Sequence, residues 1–223
     1  AECGGLVIIS GRDNERLNAT LDKLPGKDHV ASACDLRDAD QAFDWTKTII
    51  GKSGTLSGVF HCAGIELIRP IKMLKQAHLD QILGSSLMAS FGIARALSQK
   101  NALNDGASMV FMSSVAGSTG QVGMTAYSAA KAGVDGLVRS LACEMAPRKI
   151  RVNSIASGAV KTAMHDRLTK GGGEDATAAY EKSHLLGFGK VDDIAQAATF
   201  LLSDASQWIT GTTLVVDGGY TVR

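Results

Sequence analysis

Short apolar runs and longer amphipathic stretches alternate along the chain. The runs at residues 6–10, 30–34, 58–62, 107–112, 151–156 and 213–216 are rich in β-branched side chains and flanked by polar or glycine-containing segments. Runs of this length without strict alternation predict strands buried on both faces. Between them, apolar positions recur at helical spacing over residues 14–24, 39–51, 76–100, 125–145 and 192–203. Asp38, with Gln41 following, reads as a helix start of the capping-box kind. Crossovers long enough for one helix join the strands, so the pattern predicts a parallel sheet covered on both faces. The expected fold is α/β, doubly wound, in a single domain over residues 1–223.

The 45% hydrophobic content suits an ordinary globular core, and the net charge of +1 comes from 23 basic and 22 acidic residues without long runs. That balance offers no footprint for nucleic acid or an anionic membrane surface, so a small-molecule partner is expected. The four cysteines, Cys3, Cys34, Cys62 and Cys143, form no CxxC pair and no cluster at metal-ligand spacing. Buried, reduced thiols and no metal are expected. No apolar run approaches the roughly 18 residues of a membrane span and no signal peptide is visible, which points to a cytoplasmic protein. The consecutive glycines Gly171, Gly172 and Gly173 predict a mobile flap, because glycine holds a helix poorly.

The chemistry concentrates between Ser113 and Gly136. Tyr127 and Lys131, at i and i+4 on a predicted helix, point into one space. A phenol is a poor proton-transfer group at neutral pH, but a neighbouring ammonium favours phenolate. Tyr127 could then exchange a proton with a substrate oxygen that Ser114, on the loop after a predicted strand, would hold by a hydrogen bond. A Tyr–Lys pair alone occurs by chance in many helices. The preceding Ser114 and the small residues Ala129, Ala130, Ala132 and Gly133, which allow close approach, set this one apart.

In the order and spacing of Ser114, Tyr127 and Lys131 the chain resembles the short-chain dehydrogenase/reductase family, and the likeness extends over essentially its whole length, 3-oxoacyl-carrier-protein reductase-like members included. Residues 151–155 with Gly158 and Thr162 are similar to the strand and loop beneath the nicotinamide, and residues 209–219 to the C-terminal strand and turn. The resemblance implies that Gly158, Val160 and Thr162 contact the nicotinamide, that Ala63 and Gly64 lie near the cofactor, and that Asp35 and Leu36 sit at the adenine. It also implies that Lys131 binds the nicotinamide ribose and lowers the Tyr127 pKa. At the end of the first predicted strand, Gly11-Arg12 stands where relatives that prefer NAD carry an acid, so Arg12 points to NADP(H), with NAD(H) as the alternative.

Several positions depart from the family pattern. A strand, glycine-rich turn and helix of roughly 20 to 30 residues are expected ahead of Ala1, since Cys3-Gly4-Gly5 resembles a helix end rather than a phosphate loop. His61-Cys62 replaces a pair of asparagines, and His61 reads as a hydrogen-bonded structural residue. Ser86 falls where relatives carry a catalytic asparagine that holds a water, and Ser157-Gly158 replaces Pro-Gly. The resulting expectation is an NADP(H)-dependent oxidoreductase interconverting a carbonyl and a secondary alcohol. A noncatalytic dinucleotide-binding sensor or scaffold is the alternative. Residues 163–186, with Met164, His165, Leu168 and Tyr180, are expected to form a substrate lid. The helices at 76–100 and 125–145 are expected to pack subunits into a homotetramer, or a homodimer.

Overall fold

The computed structural model describes residues 1–165 and 173–222. Its elements run β1 (Ile8–Gly11), α1 (Asn14–Leu21), β2 (Val30–Ala33), α2 (Ala39–Ser53), β3 (Leu56–His61), α3 (Gln76–Leu83) and, after a π-helical turn at Gly84–Met88, α4 (Ala89–Leu97). There follow β4 (Leu103–Ser114), α5 (Thr125–Met145), β5 (Arg151–Ser157), α6 (Gly173–Lys182), α7 (Val191–Leu202) and β6 (Thr213–Val216). All pairings between these strands are parallel, with β1 beside β2 in one sheet and the order β3-β4-β5-β6 in another.

Side chains that alternate along β4 and β5 build two cores. Met109, Phe111 and Val152 face a cluster completed by Ala42 of α2, Ile93 and Leu97 of α4, and Val134, Leu137, Val138 and Leu141 of α5. Val110 and Ile155 point the other way, against Ile194, Ala198 and Leu201 of α7. Helices on both faces of a parallel sheet are the doubly wound arrangement that the pattern predicts. On α5 the buried positions Ala126, Ala130, Val134, Leu137, Val138, Leu141, Ala142 and Met145 recur every three or four residues, as a single face requires. Asp38 caps α2, its carboxylate accepting from the Asp40 and Gln41 amides at 2.9 Å each.

Burial on both faces holds for β4 and β5 but not for β1, β2, β3 or β6, which keep half-buried or exposed positions. Among the described residues these four lie at sheet edges, with a strand neighbour on one side. The helix expected over residues 76–100 is broken by the π-helical turn. There a Cβ on Gly84 would lie 2.8 Å from the Arg37 carbonyl, so the segment presses against the chain entering α2. Gly92 serves the same contact one level on, since its Cβ would lie 2.6 Å from the Cβ of Ala42.

The cysteines correct another expectation. All four are free, but Cys3, Cys62 and Cys143 are exposed and Cys34 is half-buried. Of the expected flap, Gly173, Glu174 and Asp175 belong to α6, while Lys170 to Gly172, and Leu168 of the expected lid lining, lie outside the described residues. Among the described residues no helix is long and apolar enough to cross a membrane.

Buried polar groups tie the second core together. The Arg151 guanidinium is 6% exposed, donating to the carbonyls of Leu201 and Ser203 at 2.6 and 3.0 Å and to the Ser206 hydroxyl at 2.6 Å. Together with the Ser108 and Ser206 hydroxyls, which also donate to the Leu201 carbonyl at 2.7 and 3.0 Å, it satisfies carbonyls at the C-terminal end of α7. Asn153 joins β5 to the approach of β6, donating to the Ile209 carbonyl at 2.9 Å and accepting from the Thr212 amide at 3.2 Å.

Candidate active site

Chemical groups gather at the carboxyl ends of β3, β4 and β5, where open parallel sheets bind ligands. β4 ends at Ser114, whose hydroxyl accepts from the Ala116 amide at 3.2 Å as the chain turns. α5 then carries Tyr127 and Lys131 back past that strand. The Lys131 side chain is 3% exposed, and its Nζ donates to the Met112 carbonyl at 2.9 Å and stands 5.6 Å from the centre of the Tyr127 ring. Ser113 fastens helix to strand, its hydroxyl donating to the Lys131 carbonyl at 3.3 Å. The small residues expected to favour close approach act within the chain. A Cβ on Gly133 would meet Leu87 at 2.8 Å, and one on Gly117 would meet the Ala132 amide at 3.1 Å.

β5 ends at Ser157-Gly158. The Gly158 amide donates to the Val216 carbonyl at 3.0 Å, and a Cβ there would sit 2.8 Å from the Cα of Asp217, so a side chain has no room. Asp217 holds the following turn by accepting from the Gly219 and Thr221 amides at 2.9 and 2.8 Å. Val160 bridges to Gly189, and the Thr162 hydroxyl accepts from the His165 amide at 3.3 Å.

These ends enclose a cavity of about 780 Å³. Gly64, Ser114, Tyr127, Lys131, Gly158, Val160 and Thr162 all line it, so seven of the residues singled out from sequence meet in one space. Met164, His165 and Tyr180, expected in a lid, line it too. Ser86 does not. It lies behind Gly64 in the π-helical turn, 2% exposed. A Cβ on Gly64 would lie 3.1 Å from the Ser86 hydroxyl oxygen and 3.5 Å from the Lys131 Nζ, and that hydroxyl has no partner among the described residues.

At the far end, β1 leads into Arg12 and β2 into Asp35. The Asp35 carboxylate is engaged by the Arg37 guanidinium at 2.5 Å, which with a smaller influence of Arg12 holds it below the usual carboxylate range. Leu36 packs against the main core, and Ala63 is exposed. Arg12 forms no ion pair among the described residues and faces solvent.

Burial dominates the electrostatics of the cavity. It lowers Lys131 to about 8 and raises Glu66 to about 7. Tyr127 is pushed above its ordinary value by burial and then by the Glu66 carboxylate, while an interaction with the Ser114 hydroxyl works the other way. The family likeness implies that the Lys131 ammonium, 5.6 Å from the centre of the Tyr127 ring, favours the phenolate, an influence opposed to that of burial. His61, 6% exposed, is lowered to about 4 by burial and by the Lys131 charge, its one favourable influence being the Ser86 backbone. Its Nε2 has no partner among the described residues, so the expected hydrogen-bonded role is only half met.

Sequence reasoning missed two residues. Glu66 also lines the cavity, two positions beyond the Ala63-Gly64 pair. A carboxylate inside the apolar run Ile65-Glu66-Leu67-Ile68 was the available signal. His184, 2% exposed, accepts from the Ala159 amide at 3.2 Å, bonds the Tyr180 carbonyl at 3.0 Å and stacks on Tyr220 at 4.7 Å. It thus joins α6 to the loop after β5 and to the C-terminal turn.

The sequence profile of the family described as enoyl-(acyl carrier protein) reductase matches residues 1–221. The chain belongs to the short-chain dehydrogenase/reductase family. It is 35% identical to carbonyl reductase family member 4 of Danio rerio over 98% of this chain and 89% of that protein. It is 33% identical to a 3-oxoacyl-[acyl-carrier-protein] reductase of Rickettsia conorii over 97% of this chain and 86% of that protein. Among solved structures it is similar to an NADPH-bound short chain oxidoreductase of Pseudomonas aeruginosa with an atypical catalytic center, with a TM-score of 0.86, 29% identity, and coverage of 100% of this chain and 89% of that one. Membership makes this chain a Rossmann-like member of an oxidoreductase family.

Proposed function

We propose that this chain is an NADP(H)-dependent oxidoreductase that interconverts a carbonyl and a secondary alcohol, with Tyr127 as the proton-transfer group. The observation that carries the reading is the convergence of Ser114, Tyr127 and Lys131 on a single cavity with Gly64, Gly158, Val160 and Thr162. The residues suit a dinucleotide. Gly64 keeps open the space beside the Lys131 ammonium and the unpartnered Ser86 hydroxyl, and Arg12 stands without an ion pair at the end of β1. Arg12 there suits a 2′-phosphate rather than a 2′-hydroxyl, and the NADPH of the Pseudomonas structure supports the same cofactor, with NAD(H) as the alternative.

When bound, the nicotinamide supplies or accepts the hydride. The chain's own residues do the rest. Ser114 orients the substrate oxygen while Tyr127 donates or takes its proton. Lys131 spends one donor on the Met112 carbonyl and keeps the others for ribose hydroxyls. The unpartnered Ser86 hydroxyl beside it suits a water that reaches Lys131. Gly158, Val160 and Thr162 meet the carboxamide, and Asp35, Leu36 and Ala63 belong to the adenosine end. Residues 163–186 act as a substrate lid, a role supported by the presence of Met164, His165, Ala176, Thr177 and Tyr180 in the cavity wall.

Assembly as a homotetramer, or a homodimer, belongs to the same proposal. Exposed apolar side chains on the π-helical turn and α4 (Met88, Phe91), and on α7, β6 and the loop between them (Phe200, Val215, Trp208), support it. A cytosolic location is supported by four unpaired cysteines. The test is NADPH oxidation over a panel of ketones by the wild-type protein and Ser114→Ala, with loss of about a hundredfold or more in kcat expected. Equal turnover in the two would remove Ser114 from the reaction.

A further inference from the structure

Glu66 is a carboxylate without an evident structural task. It lines the same cavity as Ser114 and Tyr127, no described side chain or backbone amide donates a hydrogen bond to it, and it forms no ion pair among the described residues. Its neighbours in the wall are largely apolar, Ile65, Ile68, Met112 and Met124 among them. The titratable groups sharing the cavity with it are Cys62, Tyr127, Lys131, His165 and Tyr180, and the Lys131 ammonium is already donating to the Met112 carbonyl. A carboxyl group in such a place is destabilised unless something donates to it. Glu66 is half-buried in the wall of a cavity open to substrate, so a donor carried by a substrate can replace water at its carboxylate.

We propose that Glu66 is a specificity-determining residue that binds a hydroxyl carried near the reacting carbonyl, so that the enzyme takes hydroxyketones, and the corresponding diols in reverse, in preference to simple ketones. This rests on the carbonyl–alcohol reading above and deepens it. A hydroxyl fits better than an ammonium, because burying a neutral donor beside the Lys131 cation costs far less than burying a second cation. It also separates this chain's substrate from a 3-oxoacyl thioester, whose second polar group beside the ketone is a carbonyl. A carboxylate repels that oxygen and attracts a hydroxyl. The raised pKa of Glu66, about 7, agrees with a carboxyl group short of donors.

The experiment compares matched pairs with NADPH at pH 8, where Glu66 is mostly ionised: cyclohexanone against its alpha-hydroxy derivative and butanone against its beta-hydroxy derivative. Alpha-aminocyclohexanone and acetoacetyl-coenzyme A complete the panel. The wild-type protein is set beside Glu66→Gln, which keeps the volume and an acceptor oxygen, and Glu66→Leu, with melting temperatures checking that both fold. Expected is a kcat/KM ratio of hydroxyketone to plain ketone of about tenfold to a hundredfold in at least one pair, a charge-assisted hydrogen bond's worth. The ratio should shrink in Glu66→Gln and approach one in Glu66→Leu. Ratios near one in the wild type, a ratio that survives Glu66→Leu, or preference for the aminoketone or the acetoacetyl thioester would each overturn the inference. Calorimetric binding of the same pairs to the protein with NADP⁺ reads the ground-state part of the same preference, and its loss in Glu66→Leu, without turnover. Absence of any ketone reduction would therefore sink the reductase reading while binding still decided the role of Glu66.

Discussion

His61 should make this protein acid-sensitive by an amount that one substitution removes. The ring is 6% exposed at the end of β3, edge-on to Phe111 with centres 6.3 Å apart, and has an unpartnered Nε2. Burial and the Lys131 charge lower its pKa from 6.5 to about 4. Between those values the unfolded chain binds a proton that the folded chain refuses, so stability is lost as pH falls from 6.5 toward 4. Proton linkage puts the loss at about 2 kcal/mol between pH 7 and pH 5, rising to about 3 kcal/mol below pH 4. His61→Asn carries no titrating ring, and its amide can still donate to a nearby backbone carbonyl. Urea unfolding of both proteins across this range isolates the effect, because every other titrating group is common to the two. The stability of the wild type should fall about 2 kcal/mol further than that of His61→Asn between pH 7 and pH 5. Parallel curves would refute the account of a buried, neutral imidazole held down by Lys131.

Other expectations follow from packing. Gly92→Ala drives a methyl into the Ala39 carbonyl and to 2.6 Å from the Cβ of Ala42, and should destabilise by about 1–3 kcal/mol or more in denaturant unfolding. An unchanged midpoint would mean that α2 and α4 separate freely. Arg151→Met keeps an apolar stem but removes one donor each from the Leu201 and Ser203 carbonyls, which keep donors from Ser108 and Ser206, with an expected loss of about 1–2 kcal/mol by the same assay. A loss under 0.5 kcal/mol would show that the donors from Ser108 and Ser206 suffice for those carbonyls.

The alternation of strands and helices was legible because periodicity reports which faces are buried. α5 matches residues 125–145 at both ends, and β6 matches residues 213–216. Contacts between distant segments were not legible. The break at Gly84–Met88 arises where the helix presses against Arg37, a neighbour that local spacing does not reveal. α6 was hidden by its opening glycine, whose φ of +75° starts the segment in the left-handed region. Ser114, Tyr127 and Lys131 could be read because their spacing is local and their chemistry shared. Glu66 and His184 could not, since the first matters for where it points and the second for joining three segments far apart in sequence.

The measurement that bears most directly on the central claim is NADPH consumption by wild-type protein and Tyr127→Phe with a ketone panel, beside NADPH binding followed by fluorescence. Removing the phenol's hydroxyl should reduce kcat by about a hundredfold or more while NADPH binding changes little. Turnover in Tyr127→Phe equal to the wild type, with cofactor bound in both, would contradict the assignment of Tyr127 as the proton-transfer group.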